Sequence, residues 1–99
     1  MGQHSIEEIR AAIIPIAQKY SVKSIAIFGS YARGEAEMKS DIDLHLIDTA
    51  EQWGYFKLLS FRQDLETCLG VNVDVLTTGA MDSDVLERVQ RDEVMIYEQ

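Results

Sequence analysis

Apolar residues recur at three- and four-residue intervals in the first part of the chain, the spacing that places side chains on one face of an α-helix. This pattern predicts a helix over residues 5–20. Ser5 and Glu8 have the spacing of a capping box, which marks its start. Pro15 lies inside the pattern, so we expect a kink or a break near Ile14.

Two further helices follow later in the chain. One is predicted over about residues 51–69, ending at Gly70, where a helix commonly takes a glycine. Its apolar stripe consists of Leu58, Phe61, Leu65, Cys68 and Leu69. The last helix is capped by residues 82–84 and continues to about Arg91. Residues 30–35 are long enough for only one or two helical turns, with Ser30 as N-cap.

Four short segments have the β-branched or alternating character of strands. They span residues 24–28, 41–47, 71–76 and, as a possible closing strand, 94–97. In the second, apolar residues alternate with Asp41, Asp43 and His45, which gives this strand two unlike faces. The element order α-β-α-β-α-β-α-(β) predicts an α/β (α+β) fold, a small mixed β-sheet flanked by helices.

Length and charge narrow the class of protein. Ninety-nine residues, 46% of them hydrophobic and 26% charged, predict a single globular domain over residues 1–99. Nine basic against 17 acidic residues give a net charge of −8, which argues against direct nucleic-acid binding through many phosphate contacts. No apolar run approaches the roughly 20 residues that cross a membrane, and the start has no apolar signal core. The single cysteine, Cys68, predicts a core-facing thiol and a reducing, cytoplasmic location.

Three aspartates carry most of the chemical information. Asp41 and Asp43, two residues apart on a strand, project to the same side, where their like charges repel. A hard divalent cation relieves this conflict, and Mg²⁺ prefers carboxylates together with water and phosphate oxygens. Asp74 also lies inside an apolar strand, and on a neighbouring strand it would add a third carboxylate. The alternative is three exposed surface aspartates, which the low β-propensity of aspartate disfavours.

A glycine-serine pair follows the first predicted strand. Gly29 allows close approach of a ligand to the backbone, and the turn that begins at Ser30 offers free N–H groups to a phosphate. Taken alone, this pair is better explained as a structural turn. Arg33 follows, where it would either contact a phosphate or form a surface ion pair with Glu37.

Together these residues resemble a known signature. Gly29-Ser30, ten intervening residues and then Asp41-Ile42-Asp43 are similar to the GSx10DxD motif of the polymerase-β-type nucleotidyltransferase superfamily. The sequences FGSYARG at 28–34 and SDIDL at 40–44 resemble its small stand-alone members, the minimal nucleotidyltransferases and their MntA-type antitoxins. The likeness covers nearly the whole chain, including Asp74, and implies a polymerase-β-like nucleotidyltransferase fold.

The resemblance implies an activity and roles for these residues. Asp41, Asp43 and Asp74 would be the catalytic residues and the metal ligands for two Mg²⁺ ions, and Asp74 would also help to deprotonate the attacking hydroxyl. Gly29, Ser30 and Arg33 would bind the nucleoside triphosphate. The reaction would transfer AMP from ATP to a hydroxyl, expected to be a tyrosine, of a HEPN-domain ribonuclease toxin. The chain would then act as an antitoxin that could form a hetero-oligomer with that toxin.

Two other functions stay open on the sequence. One is a non-catalytic antitoxin that neutralises its partner by covering it, although such a protein has no reason to keep three clustered carboxylates. The other is the catalytic half of a two-chain transferase that acts on a small molecule.

Three residues outside the motif have alternative explanations. His45 departs from the usually apolar family position, and we expect a tolerated polar residue on a partly open face rather than a partner or ligand of the aspartate site. Trp53 and Phe56 fall off the apolar stripe of their helix. Either that helix starts later and they pack in the loop, or they form an exposed patch for a partner.

Overall fold

A computed structural model describes residues 5–36, 41–47 and 53–99 of the chain. Three features of the sequence lie outside these ranges. They are Glu37, the predicted partner of Arg33, Ser40, the first residue of the 40–44 motif, and residues 51–52, the first two of the predicted second helix.

The first helix, α1, spans Ile6–Lys19 and begins with the predicted capping box. The Ser5 hydroxyl accepts a hydrogen bond from the Glu8 amide, and the Glu8 carboxylate accepts one from the Ser5 amide. The expected break near Ile14 is wrong, because the helix is continuous through Pro15. Pro15 lies on the exposed face of the helix. The buried residues Ile9, Ile13 and Ala17 precede and follow the proline along the chain and pack in the core.

Four strands form one mixed sheet in the spatial order β3-β2-β1-β4. Their bounds are Ser24–Phe28 for β1, Ile42–Ile47 for β2, Val73–Thr77 for β3 and Val94–Glu98 for β4. β1 pairs antiparallel with both β2 and β4, whereas β2 and β3 are parallel. The predicted mixed sheet is therefore confirmed, and the two strands that carry aspartates are neighbours.

The core lies between the sheet and two helices, α1 and α2, the second of which spans Tyr55–Leu69. The apolar side of β2, formed by Ile42, Leu44 and Leu46, is buried in this core. The buried helical residues that share it are Ile9, Ile13 and Ala17 of α1 and Phe61, Leu65 and Leu69 of α2.

The start of α2 resolves the alternatives for its two aromatic residues. The helix begins at Tyr55, so Trp53 precedes it, and its ring packs 5.4 Å from that of Phe61 and 5.8 Å from that of Tyr20. Phe56, in contrast, is 79% exposed. The predicted end of the helix is confirmed, because Gly70 adopts the left-handed conformation with φ of 73°. The prediction of a core-facing Cys68 is wrong, because the stripe of Phe61, Leu65 and Leu69 leaves this thiol exposed.

The remaining elements connect β3 to β4. A 3₁₀ turn over Thr78–Ala80 follows β3, and helix α3 spans Ser83–Asp92 with the Asp82 side chain accepting a hydrogen bond from the Val85 amide. Within residues 5–36, 41–47 and 53–99, no helix is long and apolar enough to cross a membrane.

Two phenylalanines on α2 test the assignment of the core. Phe61→Ala is expected to lower the free energy of unfolding by about 3–5 kcal/mol, because the ring is fully buried and its removal leaves a cavity. Phe56→Ala, the same change on the exposed side of the helix, should alter it by less than about 0.5 kcal/mol. Urea denaturation measures both values, and equal losses would contradict the assignment.

Candidate active site

Asp43 and Asp74 lie directly opposite one another on neighbouring strands. In the parallel pairing of β2 with β3, Asp43 is the register partner of Asp74. Side chains at such positions project from the same face of the sheet, and interaction with Asp74 raises the pKa of the Asp43 carboxyl. Asp41 precedes β2 and is exposed, and its charge also acts on Asp43. The structure thus brings the three aspartates to one end of the sheet.

This proximity changes the titration of Asp43. Burial raises the pKa of the Asp43 carboxyl, and the neighbouring charges of Asp74 and Asp41 raise it further, to about 6. The hydrogen bond with Asp74 acts in the same direction, while Arg33 opposes it. Below about pH 6 the Asp43 carboxyl is therefore mostly protonated, whereas at neutral pH it is mostly ionised.

Gly29 forms the other side of this carboxylate site. It directly follows Phe28, the last residue of β1. Strand β1 pairs with β2 on the edge opposite to β3, and there Phe28 is the register partner of Asp43. The backbone of Gly29 has φ of 75°, and a Cβ built there would collide with the Asp43 carboxylate. Glycine is required here both for the left-handed conformation and for the close approach of its backbone to the acidic side chain.

Residues 30–35 form a single helical turn, within the one or two turns predicted, and the Arg33 amide donates to the Gly29 carbonyl at 3.1 Å. The Glu35 amide donates to the Ser30 carbonyl at 2.8 Å, and the Gly34 amide donates to the Tyr31 carbonyl at 3.3 Å. This pair of bonds, with Gly34 at φ of 72°, ends the helical path after one turn. Ser30 begins this turn directly after Gly29, and Gly29 is the predicted phosphate-binding residue that lies against the Asp43 carboxylate.

Arg33 extends from this turn toward α3. Its guanidinium lies 2.9 Å from a Glu35 carboxylate oxygen and 3.8 Å from one of Asp92. The pKa of Arg33 is raised, first by the hydrogen bond to Glu35. Arg33 thus forms surface ion pairs, which was one of the two alternatives predicted for it. The predicted partner, Glu37, lies outside the described residues.

A cleft of about 380 Å³ lies between the Gly29–Arg33 turn and α3. Its lining includes three arginines, Arg33, Arg88 and Arg91, in a protein of net charge −8. Arg88 and Arg91 were not found from the sequence. Their positions on α3 resemble those of ordinary solvated helix residues, and no local motif marks them.

His45 occupies an environment that differs from the expected one. The expectation of a partly open face is wrong, because this side chain is 1% exposed. Its Nδ1 lies 2.8 Å from a carboxylate oxygen of Glu93, and its Nε2 lies 2.7 Å from the Thr78 hydroxyl. Glu93 and Thr78 are distant in sequence, so alternation within β2 gave no sign of this burial.

The aspartates fit a hard divalent cation. Carboxylate oxygens are the ligands that Mg²⁺ prefers, and a cation would relieve the repulsion that raises the pKa of Asp43. In the described part of the chain, no three Asp, Glu, His or Cys side chains already surround a common point as a metal cluster. Mg²⁺ usually takes one or two carboxylates plus water and substrate phosphates, so a close aspartate pair beside a nucleotide suits it.

Comparison with known families identifies the fold that carries this site. The family described as "Polymerase beta, Nucleotidyltransferase" matches residues 11–99. The chain belongs to this family. The matched region contains the Gly29 turn and all three aspartates, and the protein is therefore a nucleotidyltransferase.

Individual members of the nucleotidyltransferase family are similar over nearly the full chain. "Putative protein adenylyltransferase MJ0435" of Methanocaldococcus jannaschii is 40% identical over 90 residues, which cover 91% of this chain and 96% of the relative. "Protein adenylyltransferase MntA" of Thermococcus cleftensis is 31% identical over 100 residues, which cover 97% and 100%.

A solved structure shows the same nucleotidyltransferase fold at low sequence identity. A chain in the structure of a tri-AMPylated Shewanella oneidensis HEPN toxin in complex with MNT antitoxin superposes with a TM-score of 0.73 and 18% identity. The match covers 95% of this chain and 73% of that chain.

Two glycines with the same backbone conformation test the role of the Gly29 turn. Gly29→Ala and Gly70→Ala should each lower the free energy of unfolding by roughly 1 kcal/mol, because both residues have positive φ. Only Gly29→Ala displaces the Asp43 carboxylate, since a Cβ at Gly70 meets nothing within 4 Å. Nucleotidyl transfer should therefore fall at least about 10-fold in Gly29→Ala alone. Equal rates in the two variants would contradict the proposed close approach.

The raised pKa of Asp43 predicts a pH-dependent stability. A carboxyl whose pKa is higher in the folded than in the unfolded chain stabilises the fold fully below about pH 4. It loses that contribution as the pH rises through about 6. Asp43→Asn removes the titration, so in metal-free protein its stability relative to wild type should improve between pH 4 and pH 7. Allowing for solvent screening, we expect on the order of 1 kcal/mol by urea denaturation.

The same substitution in an Asp74→Asn background provides the control. Because the Asp74 charge is one cause of the raised pKa of Asp43, the gain between pH 4 and pH 7 should shrink there. An equal gain between pH 4 and pH 7 in the wild-type and Asp74→Asn backgrounds would refute the coupling of the two carboxylates.

Proposed function

We propose that this protein transfers AMP from ATP to a hydroxyl group of a partner protein, with Mg²⁺ bound by Asp41, Asp43 and Asp74. The observation that carries the proposal is the opposition of Asp43 and Asp74 in register, with the Gly29 backbone against the Asp43 carboxylate. The names of the relatives from M. jannaschii and T. cleftensis, both protein adenylyltransferases, support the reaction type.

Each polar residue of the site has a role in this reaction. Gly29 and Ser30 bind the phosphates, and Arg33 adds positive charge at the cleft. Asp41, Asp43 and Asp74 would hold two Mg²⁺ ions, which when bound neutralise charge on the attacking and leaving oxygens. Asp74 accepts the proton of the attacking hydroxyl. The hydroxyl oxygen forms a bond to the α-phosphorus, the bond from that phosphorus to the bridging oxygen breaks, and pyrophosphate leaves.

We further propose that the acceptor is a tyrosine of a cognate HEPN-domain toxin and that the protein acts as its antitoxin. The complex of an AMPylated HEPN toxin with an MNT antitoxin, which contains a chain of the same fold, supports this partner class. The acidic surface of this chain, with a net charge of −8, suits a basic RNA-cleaving partner.

Labelling of the partner tests the proposal. The purified protein is incubated with α-³²P-labelled ATP, Mg²⁺ and the product of the neighbouring gene as the candidate HEPN partner, and label should appear on the partner. Asp43→Asn and Asp74→Asn should each lower the rate at least about 100-fold, because each removes a charge that stabilises the reacting phosphate through the metal. Chelation of Mg²⁺ should abolish labelling.

The matched control is Asp64→Asn. Asp64 lies on α2, where its carboxylate accepts a hydrogen bond from the Tyr20 hydroxyl at 2.7 Å and pairs with Lys19. This variant should label the partner at close to the wild-type rate. Mass spectrometry should locate AMP on a tyrosine of the partner, and changing that tyrosine to phenylalanine should prevent labelling.

The outcomes separate this function from its alternatives. If the partner binds and loses its toxicity but neither wild type nor Asp74→Asn labels it, the protein is a non-catalytic antitoxin. If only a small molecule is labelled when the partner is present, the two chains form a small-molecule transferase. Either result would contradict adenylylation of the partner protein.

A further inference from the structure

The imidazole of His45 forms a buried link between elements that are far apart in sequence. Its side chain is buried, and both ring nitrogens have close partners. Nδ1 donates to the Glu93 carboxylate, and Nε2 exchanges a hydrogen bond with the Thr78 hydroxyl, which can either donate or accept. Hydrogen bonds to a charged group inside a protein are stronger than those in water.

The three linked residues each belong to an element of the active site. His45 lies two residues after Asp43 on β2, and Thr78 lies four residues after Asp74, in the turn that ends β3. Glu93 is the residue that ends α3, and its amide donates to the Val89 carbonyl. The network therefore connects both aspartate strands to the end of α3.

The residues of α3 that precede Glu93 line the cleft opposite Gly29. Of the three arginines there, Arg33 pairs with Glu35 and Asp92, and Arg91 lies 3.4 Å from Glu87. Arg88 makes no ion pair with any residue in the described ranges. Its guanidinium is thus available to a ligand, and its planar fork of donors matches the oxygens of a phosphate.

We propose that Arg88 binds the phosphates beyond the α-phosphate of the nucleoside triphosphate, and that His45 is a positioning residue that holds α3 where Arg88 reaches them. The inference rests on the nucleotide binding of the proposed function and assigns two residues to it. His45 does not touch the substrate. It acts through Glu93, which fixes the end of the helix that carries Arg88.

Binding of nucleotides tests the role of Arg88. The dissociation constants of a non-hydrolysable ATP analogue and of AMP are measured by calorimetry in the presence of Mg²⁺. Arg88→Met should raise the constant for the ATP analogue about 10-fold, the effect expected from losing one charged hydrogen-bonding group. The constant for AMP should change much less. Arg62→Met, which removes a paired arginine from α2, is the control and should bind both nucleotides like wild type.

Two substitutions of His45 separate its two hydrogen bonds. The asparagine amide can occupy the position of Nδ1 and keep the bond to Glu93, whereas the glutamine amide corresponds to Nε2 and keeps the bond to Thr78. His45→Gln should therefore raise the dissociation constant of the ATP analogue about 10-fold, with kcat at saturating ATP retained. His45→Asn should leave the dissociation constant near the wild-type value.

The double variant distinguishes positioning from general stabilisation. In the Arg88→Met background, His45→Gln should weaken binding of the ATP analogue no further, because the residue that it positions is gone. If His45→Gln does not fold, Glu93→Ala is used instead. This substitution removes the same hydrogen bond, and the Glu93 side chain is partly exposed at the end of a helix. Melting temperatures identify variants that are merely destabilised.

Four results would overturn the inference. A His45→Gln protein with a lower melting temperature but an unchanged dissociation constant would show a purely structural histidine. Fully additive losses in the double variant would show that His45 does not act through Arg88. If the wild-type protein binds no ATP analogue, the proposed function fails and the inference fails with it. Nucleotide binding by wild type that is unaffected in Arg88→Met would refute the inference alone.

Discussion

Repulsion between the carboxylates of Asp43 and Asp74 is the constraint around which the active site is built. The parallel register of β2 with β3 places the two side chains together, and burial denies Asp43 the water that would screen its charge. Without a bound ligand the fold gains nothing from such a pair, because the repulsion of the two carboxylates opposes folding at neutral pH. The arrangement becomes favourable when a divalent cation and the phosphates of a nucleotide join it.

The rest of the fold keeps that arrangement rigid. One face of β2 is anchored by Ile42, Leu44 and Leu46 in the core with α1 and α2, which fixes the strand. The other face carries Asp43 at its open end and His45 at its buried end, where Glu93 and Thr78 hold it. Gly29 then presents backbone to Asp43 without a side chain in between. A site that tolerates little displacement is thus supported from both sides of a single strand.

The sequence predicted those features that depend on neighbouring residues. The capping box at Ser5, the end of α2 at Gly70 and the buried apolar side of β2 are local signals, and all three are confirmed. The hypothesis that the three aspartates form one site required their two strands to be neighbours, as they are. The register that pairs Asp43 with Asp74 is a property of the assembled sheet and was not predicted.

Features that depend on packing between distant segments were not predictable. Burial of His45 requires Glu93, which is 48 residues away, and the sequence around β2 contains no sign of it. Arg88 was missed because a cationic residue on an amphipathic helix is ordinarily a solvated one, and only the position of α3 places it at the cleft. Of the one or two helical turns expected at residues 30–35, one forms, and it ends for a local reason, since Gly34 adopts the left-handed conformation.

Paramagnetic broadening by Mn²⁺ tests the shared cation most directly. Substoichiometric Mn²⁺ is added with a non-hydrolysable ATP analogue, and the side-chain carboxyl ¹³C signals are followed by NMR. The carboxyl signals of Asp43, Asp74 and Asp41 should broaden first and together, while those of Asp64 and Asp84 stay sharp. A sharp Asp74 signal beside a broadened Asp43 signal, or uniform broadening of all five, would contradict a cation held between these strands.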